Sequence, residues 1–159
     1  MNTKKFYMAI IIMVLLLTSQ VSVYAANDTN VINLGTEYEY MDDGSYFEIS
    51  TIQTSSNLLR TTKTYERTKT YKNGSGTPLW YVRVTATFNY NGSTSSCTNA
   101  YSSAGSYNTA IWKIASHNAS HANNNAVAYA TAKRYMSGIV VETQNQSVTI
   151  ACDANGNLY

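Results

Sequence analysis

The feature that most constrains the fold is an alternation of apolar and polar side chains over residues 80–90. One phase holds Trp80, Val82, Val84, Ala86, Phe88 and Tyr90, and the other holds Tyr81, Arg83, Thr85, Thr87 and Asn89. A period of two residues predicts a β-strand with one buried face. Asn91-Gly92 follows and tolerates the positive φ angles of a two-residue hairpin turn. The resulting register places Cys97 opposite Ala86, on the buried face.

Other segments carry weaker strand signals. Asp43-Gly44 is a hairpin signal between two tyrosine-containing runs over 37–49. Residues 61–72 are rich in Thr, Tyr and Lys, a composition that suits an edge strand because lysine there discourages unwanted pairing. Shorter runs predict further strands at 110–117, 139–143 and 146–152.

The alanine-rich segment admits two structures. Alanines alternate with other residues at positions 126, 128, 130 and 132, which is the period of a strand. Alanine is also the best helix former, so a helix over residues 123–138, ended near Gly138, is the competing prediction. The strict alternation favours the strand.

Composition narrows the fold class. Charged residues make up 13% of the chain and aromatic residues 12%, with 14 tyrosines and one proline. A coiled coil needs more Glu, Lys and Leu, and a collagen-like fibre needs far more Gly and Pro. Together with the strand signals, this predicts an all-β sandwich of about seven or eight strands, immunoglobulin-like in its general build.

The first 25 residues have the pattern of a signal peptide. Lys4 and Lys5 form a positive n-region, and an apolar run covers residues 6–17. This run is short for a membrane span of roughly 20 residues, so a membrane anchor is the weaker interpretation. The opening Met1–Lys5 segment with its Ile/Leu-rich core resembles leaders of low-GC Gram-positive bacteria.

The small residues near the end of the leader predict the cleavage site. Signal peptidase requires small residues at the first and third positions before the cut. Cutting between Ala25 and Ala26 places Ala25 and Val23 there, whereas a cut one residue later would place Tyr24 in the third position. We therefore expect a signal peptide over 1–25, a flexible mature N-terminus over 26–36 and a single β-sandwich domain over 37–159.

Export and charge limit the partners. Loss of Lys4 and Lys5 from the 11 basic residues leaves nine, equal to the nine acidic residues, so the mature chain has no net charge. Nucleic-acid binding needs a cationic stripe that releases counterions, and we expect none. The sequence predicts a secreted protein with no stable membrane anchor and with an extracellular protein or glycan as partner.

The two cysteines fall on predicted buried faces of separate strands. Exported proteins meet an oxidising environment, in which paired cysteines form disulfides. The sequence therefore predicts a disulfide between Cys97 and Cys152, with a catalytic or metal-binding cysteine as the weaker alternative.

Charge is segregated along the chain. An acidic segment contains Asp28, Glu37, Glu39, Asp42, Asp43 and Glu48, with no base among them. A basic segment follows, with Glu66 as its one acid and with Arg60, Lys63, Arg67, Lys69, Lys72 and Arg83. We expect the two segments to be neighbours that neutralise each other; the alternative is two binding faces of opposite sign.

Metal and catalytic motifs are weak. His117 and His121 would be roughly 13 Å apart on a strand, too far for one ion, and we expect exposed loop histidines. A pair of carboxylates could serve glycoside hydrolysis, and the candidates are Asp42, Asp43, Glu48 and Glu142. The first three lie in a segment that looks exposed, where their pKa values have little reason to separate. We expect no metal, no cofactor and no catalytic activity.

Tyrosine is the remaining functional signal. Several tyrosines fall on predicted outward faces or strand edges: Tyr38, Tyr40, Tyr65, Tyr71 and Tyr81. Tyrosine is common in recognition surfaces because it joins a rigid apolar ring to a hydroxyl, although it also fills exposed sheets as a good β-former. The predicted ligand-binding face combines Tyr65, Tyr71, Tyr81 and Arg83.

These features predict a non-catalytic secreted module with a binding or structural role. Its site of action would be the bacterial cell envelope or an extracellular glycan or protein surface. The alternative is a secreted bacteriocin-like effector or enzyme inhibitor, although the neutral charge argues against direct membrane lysis. A hydrolase is the third and weakest hypothesis.

Overall fold

The computed structural model describes residues 30–55 and 61–159, so the predicted leader and its cleavage site at Ala25 and Ala26 lie outside the described residues. The described residues form eight strands and no helix. The strands are β1 (Asn30–Tyr40), β2 (Tyr46–Ser55), β3 (Thr62–Lys72), β4 (Pro78–Tyr90), β5 (Ser95–Ser106), β6 (Trp112–Ala122), β7 (Asn125–Met136) and β8 (Ile139–Ala151). The described part therefore contains no apolar helix of membrane-spanning length. The prediction of an all-β fold is confirmed.

The strands form two antiparallel sheets. The large sheet has five strands in the order β1-β2-β3-β4-β5, and the small sheet has three in the order β6-β7-β8. The sheets pack face to face, as in a β-sandwich, with β7 and β8 against β3, β4 and β5. Within each sheet, strands that are consecutive in the chain are hydrogen-bonded neighbours, whereas immunoglobulin domains have Greek-key connections. The immunoglobulin-like part of the prediction is not confirmed.

The core lies between β4 and the small sheet. The buried phase of β4 is fully enclosed, with Trp80, Val82, Val84 and Phe88 each 0% exposed. Across from it, β7 contributes buried alanines at positions 126, 128, 130 and 132, which confirms the strand over the competing helix. Small side chains on one sheet face large ones on the other, an arrangement that lets the two layers interdigitate.

β3 is a central strand, and the predicted edge position for residues 61–72 is wrong. It pairs with β2 on one side and with β4 on the other. Its threonines at positions 62, 64, 68 and 70 share one face, and its tyrosines and three of its basic residues share the other. The sequence pattern misled because both faces of this strand carry polar groups.

The N-terminal part of the sheet begins earlier than predicted. Residues 30–36, assigned to a flexible N-terminus, form the first half of β1 and pair with β2. A bulge interrupts the pairing between Asn33 and Gly35. Gly35 has φ +137, and its amide donates a hydrogen bond to Asn33 Oδ1 at 2.9 Å. A bulge of this kind bends an edge strand and hinders pairing with other chains.

The β4–β5 connection is longer than the predicted two-residue turn. The Asn91 amide donates to the Thr94 carbonyl at 3.2 Å, and Tyr90 pairs with Ser95. Because of the longer connection, Cys97 faces Phe88 instead of Ala86. The shift is by two residues, so Cys97 keeps its position on the buried face.

The predicted disulfide is absent: Cys97 and Cys152 are both buried free thiols. Their amides donate to the consecutive carbonyls of Asn123 and Asn124, so the two backbones meet at the β6–β7 turn. Each sulfur instead donates to a nearby carbonyl, Cys97 to Asn99 at 3.2 Å and Cys152 to Asp153 at 3.5 Å. Burial raises the pKa of both thiols.

Candidate functional site

The outer face of the large sheet, which points away from the small sheet, carries the main candidate site. Directly paired residues of adjacent strands point to the same face, so the register defines rows across the sheet. One such row crosses all five strands of this sheet. It consists of Tyr38, Glu48, Thr70, Tyr81 and Gly105.

One end of this row carries the β1–β2 tyrosine cluster, formed by Tyr38, Tyr40 and Tyr46. The Tyr40 and Tyr46 rings are 5.4 Å apart, and Tyr38 stacks on Tyr40 at 6.3 Å. Tyr46 is half-buried, whereas Tyr38 is 51% and Tyr40 is 75% exposed. Mutual contact holds the rings in place while most of the two outer rings remains open to solvent.

The other end carries the Tyr81–Tyr107 pair, whose ring centroids are 5.6 Å apart. Tyr81 lies over Gly105: a Cβ atom at that position would be 2.8 Å from the Tyr81 ring. The Arg83 guanidinium lies 5.6 Å from the same ring and can make a cation–π contact. Glycine at position 105 is therefore what allows the Tyr81 ring to lie against β5.

Charged groups on this face are paired. Lys72 Nζ is 2.7 Å from Glu48 Oε2, and Arg83 Nη1 is 3.0 Å from Glu66 Oε1. The hydrogen bond to Glu48 raises the pKa of Lys72, which keeps the lysine charged. Arg83 Nε also donates to Thr68 Oγ1 at 2.9 Å. These ion pairs balance the charge of the face and fix side chains between the two tyrosine groups.

The predicted neutralisation between acidic and basic segments is confirmed on both faces of the sheet. Besides Lys72–Glu48, two ion pairs lie on the inner face, each at 2.7 Å: Arg67–Glu37 and Lys69–Glu39. They join β1 to β3 across β2, because antiparallel pairing brings the acidic strands beside the basic one.

The structure divides the four predicted ligand-binding residues. Tyr81 and Arg83 lie together on the outer face, as predicted. Tyr65 and Tyr71 are 1% and 6% exposed and belong to the core, so their assignment to a surface is wrong. Tyr65 donates its hydroxyl proton to the Gly156 carbonyl, and Tyr71 donates to Ser45 Oγ at 3.1 Å. Burial, with a smaller contribution from Cys152, raises the pKa of Tyr65.

Two members of the candidate site were missed from the sequence. Tyr46 was assigned only to a strand, and Tyr107 lies just beyond β5, in a region without a strand signal. The β4–β5 register would have located Tyr107 near Tyr81, but the predicted register was off by three residues at Tyr81. The sequence shows the tyrosines but not the strand pairing that brings them together.

A pocket of about 150 Å³ lies on the inner side, between the large sheet and β8. Its lining includes Lys69, Arg67 and Ile49 from the large sheet and Thr149 from β8. Lys69 Nζ lies 4.6 Å from the Phe47 ring centroid, and Arg67 Nη1 donates to the Thr149 carbonyl at 3.3 Å. Both cations form ion pairs with carboxylates, Arg67 with Glu37 and Lys69 with Glu39. The pocket is therefore interpreted as a polar contact between the two sheets.

The histidines and carboxylates considered for chemistry are dispersed. His117 and His121 are exposed but lie within β6, so their predicted loop position is wrong; His117 Nδ1 is 2.9 Å from Ser102 Oγ. Among the described residues, no three His, Cys, Asp or Glu side chains converge as metal ligands. Glu142 pairs with Arg134 on the small sheet, away from Glu48 on the large one.

Comparison with known proteins returned no match to a family model, to a curated protein or to a solved structure.

Proposed function

We propose that this chain is an exported, non-catalytic binding module. In this proposal the leader over 1–25 is removed between Ala25 and Ala26, and the mature protein is secreted. It acts at a Gram-positive cell envelope or on another extracellular surface. The outer face of the large sheet makes the contact, through the β1–β2 tyrosine cluster, the Tyr81–Tyr107 pair and Arg83.

The observation that carries the proposal is the grouping of tyrosine rings at both ends of one row on a single face, with Tyr81 itself only partly exposed. Tyr38, Tyr40 and Tyr107 are each more than half exposed on this face. Rigid aromatic rings lose little conformational entropy on binding, and a hydroxyl at the rim provides a hydrogen bond. A sheet that needed only β-forming residues would not require rings held against each other in the open.

The same face supports a non-catalytic role. Its carboxylates, Glu48 and Glu66, are held in ion pairs with Lys72 and Arg83. A general acid or base needs a carboxyl whose pKa is shifted toward the working pH, usually inside an enclosed pocket. The likeness to immunoglobulin domains is proposed only for the general build of two packed antiparallel sheets.

Retention of the purified mature protein on extracellular polymers tests the proposal. The panel should contain insoluble neutral polysaccharides, anionic polysaccharides, cell-wall preparations and immobilised envelope proteins. We expect retention by at least one polymer, and loss of that retention in the Tyr38→Ala/Tyr81→Ala double variant.

Tyr129→Ala is the matched control, because Tyr129 is 48% exposed on the outer face of the small sheet. It should bind as the unmodified protein does. Equal retention of the double variant and the unmodified protein would contradict the proposed face. Absence of retention on every polymer would contradict the function.

A further inference from the structure

We propose that the ligand is an uncharged linear polysaccharide that lies across the strands, along the row from Tyr38 to Tyr81. This inference rests on the proposed function and specifies its ligand. It is supported by three properties of the outer face: its charge balance, the spacing of its tyrosines and the polar surface between them.

Charge balance favours a neutral ligand. Along the row and beside it, Lys72 pairs with Glu48 and Arg83 pairs with Glu66, at 2.7 and 3.0 Å. An anionic ligand would have to compete with Glu48 and Glu66 for these cations, and like-charge contact is costly. A ligand of hydroxyl groups can accept from the cations and donate to the carboxylates without separating the pairs.

The spacing of the tyrosines favours an extended chain. Tyr38 on β1 and Tyr81 on β4 are three strands apart in the same row. Adjacent strands are about 4.8 Å apart, so the two backbones are separated by roughly 14 Å. One sugar ring cannot contact both tyrosines, whereas a linear oligosaccharide of several rings can. Each tyrosine can stack against the apolar C–H face of one sugar ring, in the manner of other ring contacts.

The surface between the two tyrosines is polar. Glu48 and Thr70 occupy the row between Tyr38 and Tyr81, with Lys72 beside them. The row contains no aliphatic side chain, whereas the buried centre of a protein–protein interface is enriched in apolar groups. Hydrogen bonds from sugar hydroxyls to the partly exposed Glu48 and Lys72 fit this polar surface, so the row favours a glycan over a protein.

Binding as a function of oligosaccharide length tests the inference. The probes are cello-oligosaccharides and chito-oligosaccharides from disaccharide to hexasaccharide, measured by calorimetry against the folded mature protein. We expect affinity to rise steeply at the length that reaches both tyrosines. Tyr38→Ala and Tyr81→Ala should each lower hexasaccharide affinity about tenfold and remove the steep rise, because each loses one stacking contact.

Tyr101→Ala is the control within the same face. Tyr101 is 64% exposed and lies two rows away from Tyr81, opposite Thr85. It should leave the length dependence unchanged. Circular dichroism and thermal unfolding of each variant establish that the fold is intact, so lost binding can be assigned to the missing ring.

The possible failures separate the ligand class from the proposed function. Binding that involves the tyrosines but is restricted to anionic polysaccharides or to proteins would overturn the neutral-glycan inference and keep the binding function. Affinity that does not depend on oligosaccharide length, or an equal loss of affinity in Tyr101→Ala, would contradict the placement of the binding site along this row. Failure of the protein to bind any oligosaccharide or polymer would overturn both.

Discussion

The two faces of the large sheet use the same residue type in different ways. On the inner face, Tyr65 and Tyr71 are enclosed, and their hydroxyls donate to Gly156 and Ser45. On the outer face, Tyr38 and Tyr40 stack on each other and remain largely exposed. Ring burial and a satisfied hydroxyl stabilise the fold, whereas an exposed ring contributes little to folding.

This difference teaches that tyrosine content alone does not identify a binding surface. β-Propensity favours tyrosine on either face of a strand, because it measures how well a side chain fits a pleated surface. The neighbours of each ring decide its role. Substitutions that affect the two faces in opposite ways therefore test the comparison directly.

Tyr71→Ala should give the largest loss of stability. Its ring packs against Phe47, Trp80 and Trp112, with centroids 5.1 to 6.2 Å away. Removing a buried aromatic side chain costs about 3–5 kcal/mol. Tyr38→Ala, at an exposed position, should change the free energy of unfolding by about 0.5 kcal/mol or less. Urea denaturation of both variants measures the difference, and similar losses would refute the distinction between the faces.

Tyr65→Phe tests how the buried Tyr65 hydroxyl on the inner face makes stability depend on pH. Burial raises the pKa of Tyr65, so the folded protein retains this proton at a pH where the unfolded chain releases it. The stabilising contribution is complete below the ordinary tyrosine pKa of about 10 and is lost as pH rises toward the folded value. We expect stability to fall above pH about 10, less steeply in Tyr65→Phe. An identical slope in the two proteins would contradict this role.

The ion pairs of the two faces should differ by a smaller amount in their contribution to the free energy of unfolding. Lys69 is 10% exposed and Lys72 is 18% exposed at the side chain. Glu39→Gln leaves the more buried lysine without its carboxylate and should cost about 1 kcal/mol, while Glu48→Gln should cost a few tenths. Denaturation at low and high salt compares them. A larger cost for Glu48→Gln would reverse the expected order.

Gly105→Ala should have the smallest effect on stability and a clear effect on binding. The added Cβ would lie 2.8 Å from the Tyr81 ring, so the ring must move away from β5. We expect hexasaccharide affinity to fall as it does in Tyr81→Ala, with little change in the unfolding temperature. Ser96→Ala, at an exposed position of the same strand opposite Asn89, is the control for a change on β5. Unchanged affinity in Gly105→Ala would show that the position of the Tyr81 ring is not critical.

Local patterning was sufficient to predict much of the fold. The alternation over 80–90 located β4 and its buried face, and alternating alanines located β7. It failed for β3, because Lys69 and Arg67 share the inner face with the tyrosines. The strand therefore lacks the usual difference between an apolar buried face and a polar exposed face. The threonines at alternate positions of β3 were a usable signal, because they leave Tyr65 and Tyr71 on the opposite face.

The site depended on information that local patterns do not contain. Arg83 and Tyr81 were placed correctly because their own strand has a clear period. The neighbours Tyr38 and Gly105 come from other strands, and the longer β4–β5 connection together with a bulge at Thr87/Phe88 shifts the register at Tyr81 by three residues. Sulfur pairing likewise depends on side-chain direction, which strand assignment does not fix, so shared burial of Cys97 and Cys152 did not imply a bond.

The central claim is that the outer face of the large sheet binds a neutral glycan chain while its inner face serves the core. Tyrosine-selective NMR of the unmodified protein, titrated with chito- and cello-hexasaccharides, tests this claim most directly. We predict that ring signals of Tyr38, Tyr40, Tyr81 and Tyr107 shift with ligand, while those of Tyr65, Tyr71 and Tyr129 do not. Shifts confined to Tyr129 or spread equally over all rings, or no shifts with either sugar, would contradict the claim.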